Sequence, residues 1–134
     1  MSAEELYQAG WDAFVMQDYG KALEYYQQAA DAGSIDALGT IGYMYVMGEG
    51  VEQDYAKALE YYQKAADQGN ASALYNLGVM YQDGEGVEQD YAKALEYYQK
   101  AADLGDTWAI NNIGFLRGIH RRCGLSQLLR SSSR

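Results

Sequence analysis

The stretch "GEGVEQDYAKALEYYQKAAD" at residues 48–67 occurs again, without one change, at residues 84–103. A catalytic site rarely uses two copies of a long segment, whereas a stacked scaffold is built from them. Working outward, the repetition covers most of the chain. "ALGTIGYMY" (37–45), "ALYNLGVMY" (73–81) and "AINNIGFLR" (109–117) follow one another at steps of thirty-six residues. "DYGKALEYYQQAADAG" (18–33) precedes "DYAKALEYYQKAADQG" (54–69) by the same step, and "ELYQAGWDAF" (5–14) joins the series once four loop residues are removed. The reading is three complete units, at about 3–34, 35–70 and 71–106, then a half unit at 107–117 and a tail at 118–134.

Each unit reads as two helices, which makes the chain all-α. In the second half of a unit, Tyr55, Ala58, Leu59, Tyr62, Ala65 and Ala66 recur at three- and four-residue steps and form one apolar stripe. Asp54 is placed to cap the start of that helix and Gly69 to end it in a left-handed turn. Glu60 and Lys64, spaced i,i+4, are expected to pair for ~0.3 kcal/mol. In the first half, Leu74, Leu77, Gly78 and Tyr81 form the corresponding stripe, and "GEGVEQ" is the loop between the helices. Gly10, Gly42, Gly78 and Gly114 fall at equivalent places inside first helices. Glycine there costs ~1 kcal/mol relative to alanine, so a neighbouring helix is expected to approach closely at each.

Composition bounds the function. Apolar residues make up 49% and charged residues 22% of the 134-residue chain, as in a folded domain rather than a disordered one. The net charge of −9 opposes nucleic acid as a partner, because phosphates require Lys and Arg. The charge is also uneven: residues 1–116 carry all nineteen acids with five Lys, and residues 117–134 carry five Arg and no acid. A single cysteine, Cys123, excludes an internal disulfide framework. No apolar run approaches membrane-spanning length and "MSAEELYQAG" does not read as a secretory signal, so the expectation is a soluble, cytoplasmic protein with no membrane partner.

The pattern A-x-Y-x-L-G-x-x-Y from Ala73 to Tyr81, with "GEGVEQDYAKALEYYQKAADLG", closely resembles the Sel-one-like repeat (SLR) family, relatives of tetratricopeptide repeats with a longer loop between helices. The first unit lacks the extra loop residues and is more similar to a tetratricopeptide repeat itself. The resemblance covers residues 3–117 and implies a right-handed α-solenoid that serves as an adaptor, binding protein or peptide along its concave face. It breaks after Arg117, where "GIHRRCGLSQLLRSSSR" replaces the expected loop and second helix. Two readings of that end stand. Leu125, Leu128 and Leu129 form a short covering helix, or the basic, Ser-rich segment is unstructured or foreign to the repeat, the reading favoured here. With no cover, Ile110, Ile113 and Leu116 are expected to be exposed and to promote self-association.

The resemblance places ligand on the first helices. With Leu74, Leu77, Gly78 and Tyr81 committed to the core, the row on the other side runs Ser72, Asn76, Val79 and Asp83. Its equivalents include Gln8 and Trp11, Thr40 and Tyr43, and Trp108, Asn112 and Phe115. Amides suit a bound peptide backbone, and aromatics supply contact area at low entropy cost. Asn76 and Asn112 are the sharpest pair; the competing reading is that each bonds its own helix backbone or water. Tyr75 reads as packing. Gly39 stands where Tyr7 and Tyr75 stand in other units, leaving either a notch or a drifted position. The acidic body favours a basic partner.

Other signals carry little chemistry. "GEG" lacks the Lys-Ser/Thr of a phosphate loop and is ringed by Glu49, Glu52 and Asp54. "DGEGVEQD" (83–90) fails calcium-loop spacing, and the paired carboxylates Asp83 and Glu85 sit in a loop with no implied pocket. His120 and Cys123 lie in the basic end without a third ligand or a positioned partner. "NAS" (70–72) is a glycosylation triplet without a secretory context. No cofactor or metal is expected. Two rivals to the adaptor reading remain open. One is a structural or consensus-type scaffold without a ligand; the other is a cell-wall hydrolase of the cysteine-rich kind, whose Cys pairs this chain lacks.

Overall fold

A computed structural model describes residues 1–123 of the chain, with side chains to residue 118. Among these residues there are seven α-helices and no strand: α1 (Ala3–Val15), α2 (Tyr19–Asp31), α3 (Ile35–Met47), α4 (Tyr55–Asp67), α5 (Ala71–Asp83), α6 (Tyr91–Asp103) and α7 (Thr107–Cys123). They fall into two compact units, residues 1–70 and residues 71 onward. In the first, α1 packs on α2, α2 on α3 and α3 on α4; in the second, α5 packs on α6 and α6 on α7.

The helix ends follow from the repeated letters. Asp18, Asp54 and Asp90 accept hydrogen bonds from the Lys21, Lys57 and Lys93 amides, and Ser2 and Glu5 close a capping box on α1. Each second helix stops in the same way. Gly69 takes a φ of +86°, its N–H donates to Ala66 O, and the Asn70 N–H reaches back to Ala65 O. This paired closure satisfies carbonyls the helix would leave bare, and Gly33 and Gly105 repeat it. The long loop is tied by a glutamine: Gln53 Nε2 donates to Val46 O at 2.7 Å, and Gln89 Nε2 to Gln82 O at 2.8 Å.

The core is built from tyrosine rings lying on glycines. Tyr26, Tyr62 and Tyr98 are buried on α2, α4 and α6. A Cβ on Gly10 would lie 2.7 Å from the Tyr26 ring, one on Gly42 2.9 Å from Tyr62, and one on Gly78 2.5 Å from Tyr98. Three of the four interior glycines are therefore slots for a ring from the same helix pair. Gly114 is the exception. It is exposed, and a Cβ there would meet no described atom within 4 Å. Among the described residues, the half unit has no second helix of the repeat type to supply the ring.

Two further expectations are corrected. Ile113 and Leu116 are buried; of the three apolar residues expected to be bare on α7, only Ile110 is, at 53% exposed. Ile113 and Leu116 occupy the register of Leu77 and Met80, both also buried, so these positions are core in either pair. Lys64 does not pair with Glu60. Its ammonium lies 5.3 Å from the centre of the Tyr61 ring, as Lys100 lies 5.5 Å from Tyr97. The covering helix expected at Leu125, Leu128 and Leu129 falls outside the described residues.

The three core tyrosines are not equivalent at their hydroxyls. Tyr98 Oη donates to Gln82 Oε1 at 2.6 Å. Phe14 holds the corresponding position in the first pair, and the buried Tyr26 hydroxyl has no hydrogen-bond partner among the described residues. Burial raises the pKa of the Tyr26 hydroxyl. Tyr26→Phe is therefore expected to leave stability unchanged or raise it by up to about 1 kcal/mol. Tyr98→Phe should cost about 1 kcal/mol. Urea denaturation of both variants followed by circular dichroism checks the contrast, and equal losses would contradict it.

Candidate functional site

The first helices carry the surface on which a ligand was expected. Of the ten large apolar side chains that are exposed among the described residues, seven sit on α1, α3 and α7: Trp11, Val15, Tyr43, Met47, Trp108, Ile110 and Phe115. None sits on α2, α4 or α6. The second helices instead show the solvent Lys, Glu and Gln, with four Lys ammonium groups held over tyrosine rings. Three of the four first helices are acidic as well, while α7 carries Arg117 and no acid. Helices α1, α3 and α5 hold Glu4, Glu5, Asp12, Asp36 and Asp83 and no basic residue.

In the first unit, Trp11 (48% exposed) and Tyr43 (43% exposed) occupy equivalent positions on α1 and α3. Trp11 stacks on Phe14 at 6.0 Å between ring centres, which stiffens the indole without covering it. Gln8 Nε2 donates to Asp12 Oδ1 at 3.0 Å, an i,i+4 bond that occupies one of its donors. Thr40 is half-buried; its hydroxyl donates to Asp36 O at 3.0 Å and lies 3.4 Å from Tyr7 Oη. At the start of α1 and α3 an open cleft of about 370 Å³ is lined by Glu4, Tyr7, Ser34, Asp36 and Asn70. There Asn70 Nδ2 donates to Asp36 Oδ1 at 3.1 Å.

In the second unit, Trp108 (68% exposed) and Phe115 (59% exposed) stand out from α7, while Asn76, Val79 and Asn112 are half-buried. Asn112 Nδ2 donates to Tyr75 Oη at 3.4 Å, so neither its own backbone nor water alone accounts for this amide. The Tyr98 hydroxyl is pushed up to about 12, chiefly by burial, with Asn112 acting in the opposite direction. Tyr75 packs as expected, 5.7 Å from the Tyr98 ring, but its hydroxyl is also a polar contact that sequence reasoning missed. The bond from Tyr7 to Thr40 and that from Tyr75 to Asn112 link the same two register positions. Asn76 shares the register of Thr40 and Asn112 and makes no hydrogen bond from its side chain among the described residues. The tyrosine position of the preceding repeat is Gly39, where a Cβ would come no nearer than 3.9 Å to Asn70 Oδ1.

Among the described residues no group of three or more His, Cys, Asp or Glu side chains is placed to hold a metal ion. No helix there is long and apolar enough to cross a membrane. His120 and Cys123 lie beyond the described side chains.

Comparison with known proteins agrees with the helical-repeat fold. The Sel1 repeat matches residues 1–34, 37–70 and 71–106. A protective antigen of uropathogenic Escherichia coli displaying an SLR fold is 35% identical, with a TM-score of 0.80 over 87% of this chain and 26% of its own. A Sel1 repeat protein from Oxalobacter formigenes is 33% identical, with a TM-score of 0.77 over 82% of this chain and 45% of its own. Cysteine-rich protein B of Helicobacter pylori is 28% identical, with a TM-score of 0.63 over 68% of each chain. The chain thus spans about a quarter of the length of the first of these and under half of the second. No curated protein matches in sequence.

Proposed function

Because the chain belongs to the Sel1 repeat family, whose repeats are generally non-catalytic protein-interaction scaffolds, we propose that it binds a basic peptide or protein segment on its first helices. The observation that carries this reading is the segregation just described: exposed aromatics on first helices and none on second helices. A folded chain gains nothing in stability by placing Trp11, Tyr43, Trp108 and Phe115 in water, whereas aromatic anchors are what most often dominate binding energy.

Each unit contributes by itself. In the first, Trp11 and Tyr43 are the anchors, with Gln8 and Thr40 beside them, and the cleft at Glu4, Tyr7 and Asp36 seats a cationic side chain. In the second, Trp108 and Phe115 are the anchors beside Val79, while the amides of Asn76 and Asn112 contact the ligand backbone. The acid-only composition of α1, α3 and α5 selects for Lys and Arg and accelerates encounter.

The test is selection of displayed random peptides on the chain, followed by affinity measurement with the synthesised winners. The expected winners are net basic, and Tyr43→Ala or Trp108→Ala weakens them by about thirtyfold, the effect of losing a 2 kcal/mol anchor. Binding should also weaken as salt is raised. Winners that ignore every first-helix substitution would place recognition elsewhere, and the scaffold reading without a ligand would gain if nothing were selected.

A further inference from the structure

We propose that the end of the first unit where α1 and α3 stop is a seat for an arginine side chain of the partner, its guanidinium lying on Tyr43 toward Glu49 and its aliphatic stem along Trp11. The inference rests on the reading of the first helices as a basic-peptide surface and names the side chain that this part of it takes. Glu49 is half-buried in the loop that leaves α3. That loop is pressed onto the start of α2, where a Cβ on Gly50 would stand 2.8 Å from Tyr19 O. Burial first, then Glu49 and then Tyr43 raise the pKa of the Tyr19 hydroxyl, so the carboxylate and the Tyr43 ring both lie close to it. Phe14 lies 5.2 Å from the Tyr19 ring and 6.0 Å from the Trp11 ring, which makes one continuous row from Tyr19 to the indole. Tyr7 and Thr40 approach to 3.4 Å between their hydroxyls, and Trp11 and Tyr43 stand one turn further along the same two helices. The cleft at Glu4 and Asp36 is separate, at the other end of α1 and α3.

The charge of this end is not neutralised from within the unit. Residues 1–70 hold three basic side chains, Lys21, Lys57 and Lys64. Lys57 and Lys64 lie over the Tyr45 and Tyr61 rings, and Lys21 lines a different depression with Asp12 and Asp18. Neither α1 nor α3 has a basic residue in its last turn, so their terminal carbonyls add to the negative field. Aromatic faces beside such a carboxylate attract a cation through both the ring quadrupole and the charge. The shape then selects among cations. Trp11 and Phe14 lie within 13° of parallel, a flat shelf that suits a planar guanidinium better than a compact ammonium. Glu49 accepts N–H groups, which a quaternary ammonium does not have. The next repeat keeps the acid without the shelf: Glu85 stands in the register of Glu49, and Val79 in that of Tyr43. Glu85 is therefore an internal control.

The test titrates the isotope-labelled full chain at low salt with three blocked Gly/Ser peptides, carrying arginines, lysines or trimethyllysines, and follows it by nuclear magnetic resonance. The arginine peptide should move the Trp11 indole N–H and the Glu49 and Gly50 amides saturably, and bind at least about threefold tighter than the other two. Glu49→Gln should weaken it about fivefold, while Glu85→Gln leaves it unchanged. An equal response to the two substitutions overturns the inference, as does a lysine or trimethyllysine peptide that binds as tightly as the arginine one. Net-basic peptides selected by display that bind Glu49→Gln as tightly as the parent chain overturn it and leave the wider reading standing. No saturable shift with any of the three peptides also overturns it, and the wider reading falls with it only if display selects nothing basic.

Discussion

Gly78→Ala is expected to destabilise the chain by about 2–3 kcal/mol, even though alanine favours a helix by ~1 kcal/mol over glycine. The added Cβ would stand 2.5 Å from Cε1 of Tyr98, a distance real contacts do not tolerate. The ring cannot easily step aside, because it is wholly buried and its hydroxyl is fixed on Gln82 at 2.6 Å. The same substitution at Gly114 should act in the opposite direction, raising stability by about 0.5–1 kcal/mol, since nothing described lies near its Cβ. Urea denaturation of the two variants followed by circular dichroism measures both signs. A stabilised Gly78→Ala would show that the ring slides freely. The steric account also predicts non-additivity: in a Tyr98→Ala background, alanine at position 78 should cost nothing.

The second large effect is Tyr98→Ala itself, expected to cost about 3–5 kcal/mol. That ring fills the space between α5 and α6 and tilts against Tyr75 at 5.7 Å. Its removal leaves a cavity beside a glycine, which has no side chain with which to fill it. Hydrogen exchange should then show protection lost in α5, α6 and α7. A loss below about 1 kcal/mol would mean that the two helices close the gap by approaching each other.

Periodicity made the helices legible, because the stripe of Tyr62, Ala65 and Ala66 depends only on 3.6-residue geometry. The glycines announced close approach for a similar reason: four interior glycines at equivalent places need a common cause. Which atom approached was not legible. Tyr62 and Tyr61 are both aromatic and adjacent, and only packing shows that the first enters the slot while the second stacks on Tyr45 at 5.8 Å. The Gly114 expectation failed because helix identity was read from α7 alone, whereas the ring belongs to a partner helix. Ile113 was misjudged on the same ground, as α6 covers one side of α7 whatever follows. The candidate site was legible as a row of residues, but the prior engagement of Asn112 by Tyr75 joins residues thirty-seven apart and has no local signature.

Each of the three filled slots finds its ring within a short span of chain, sixteen residues from Gly10 to Tyr26 and twenty from Gly42 to Tyr62 or Gly78 to Tyr98. Folding therefore requires no long-range search: each pair closes a loop of modest length, and the entropy of that closure is the same wherever the pair stands in the chain. Adding another 36-residue unit lengthens the protein without lengthening any loop that must close. Topologically, a long member of this family is no harder to fold than a short one, and the number of repeats is free to vary by whole units.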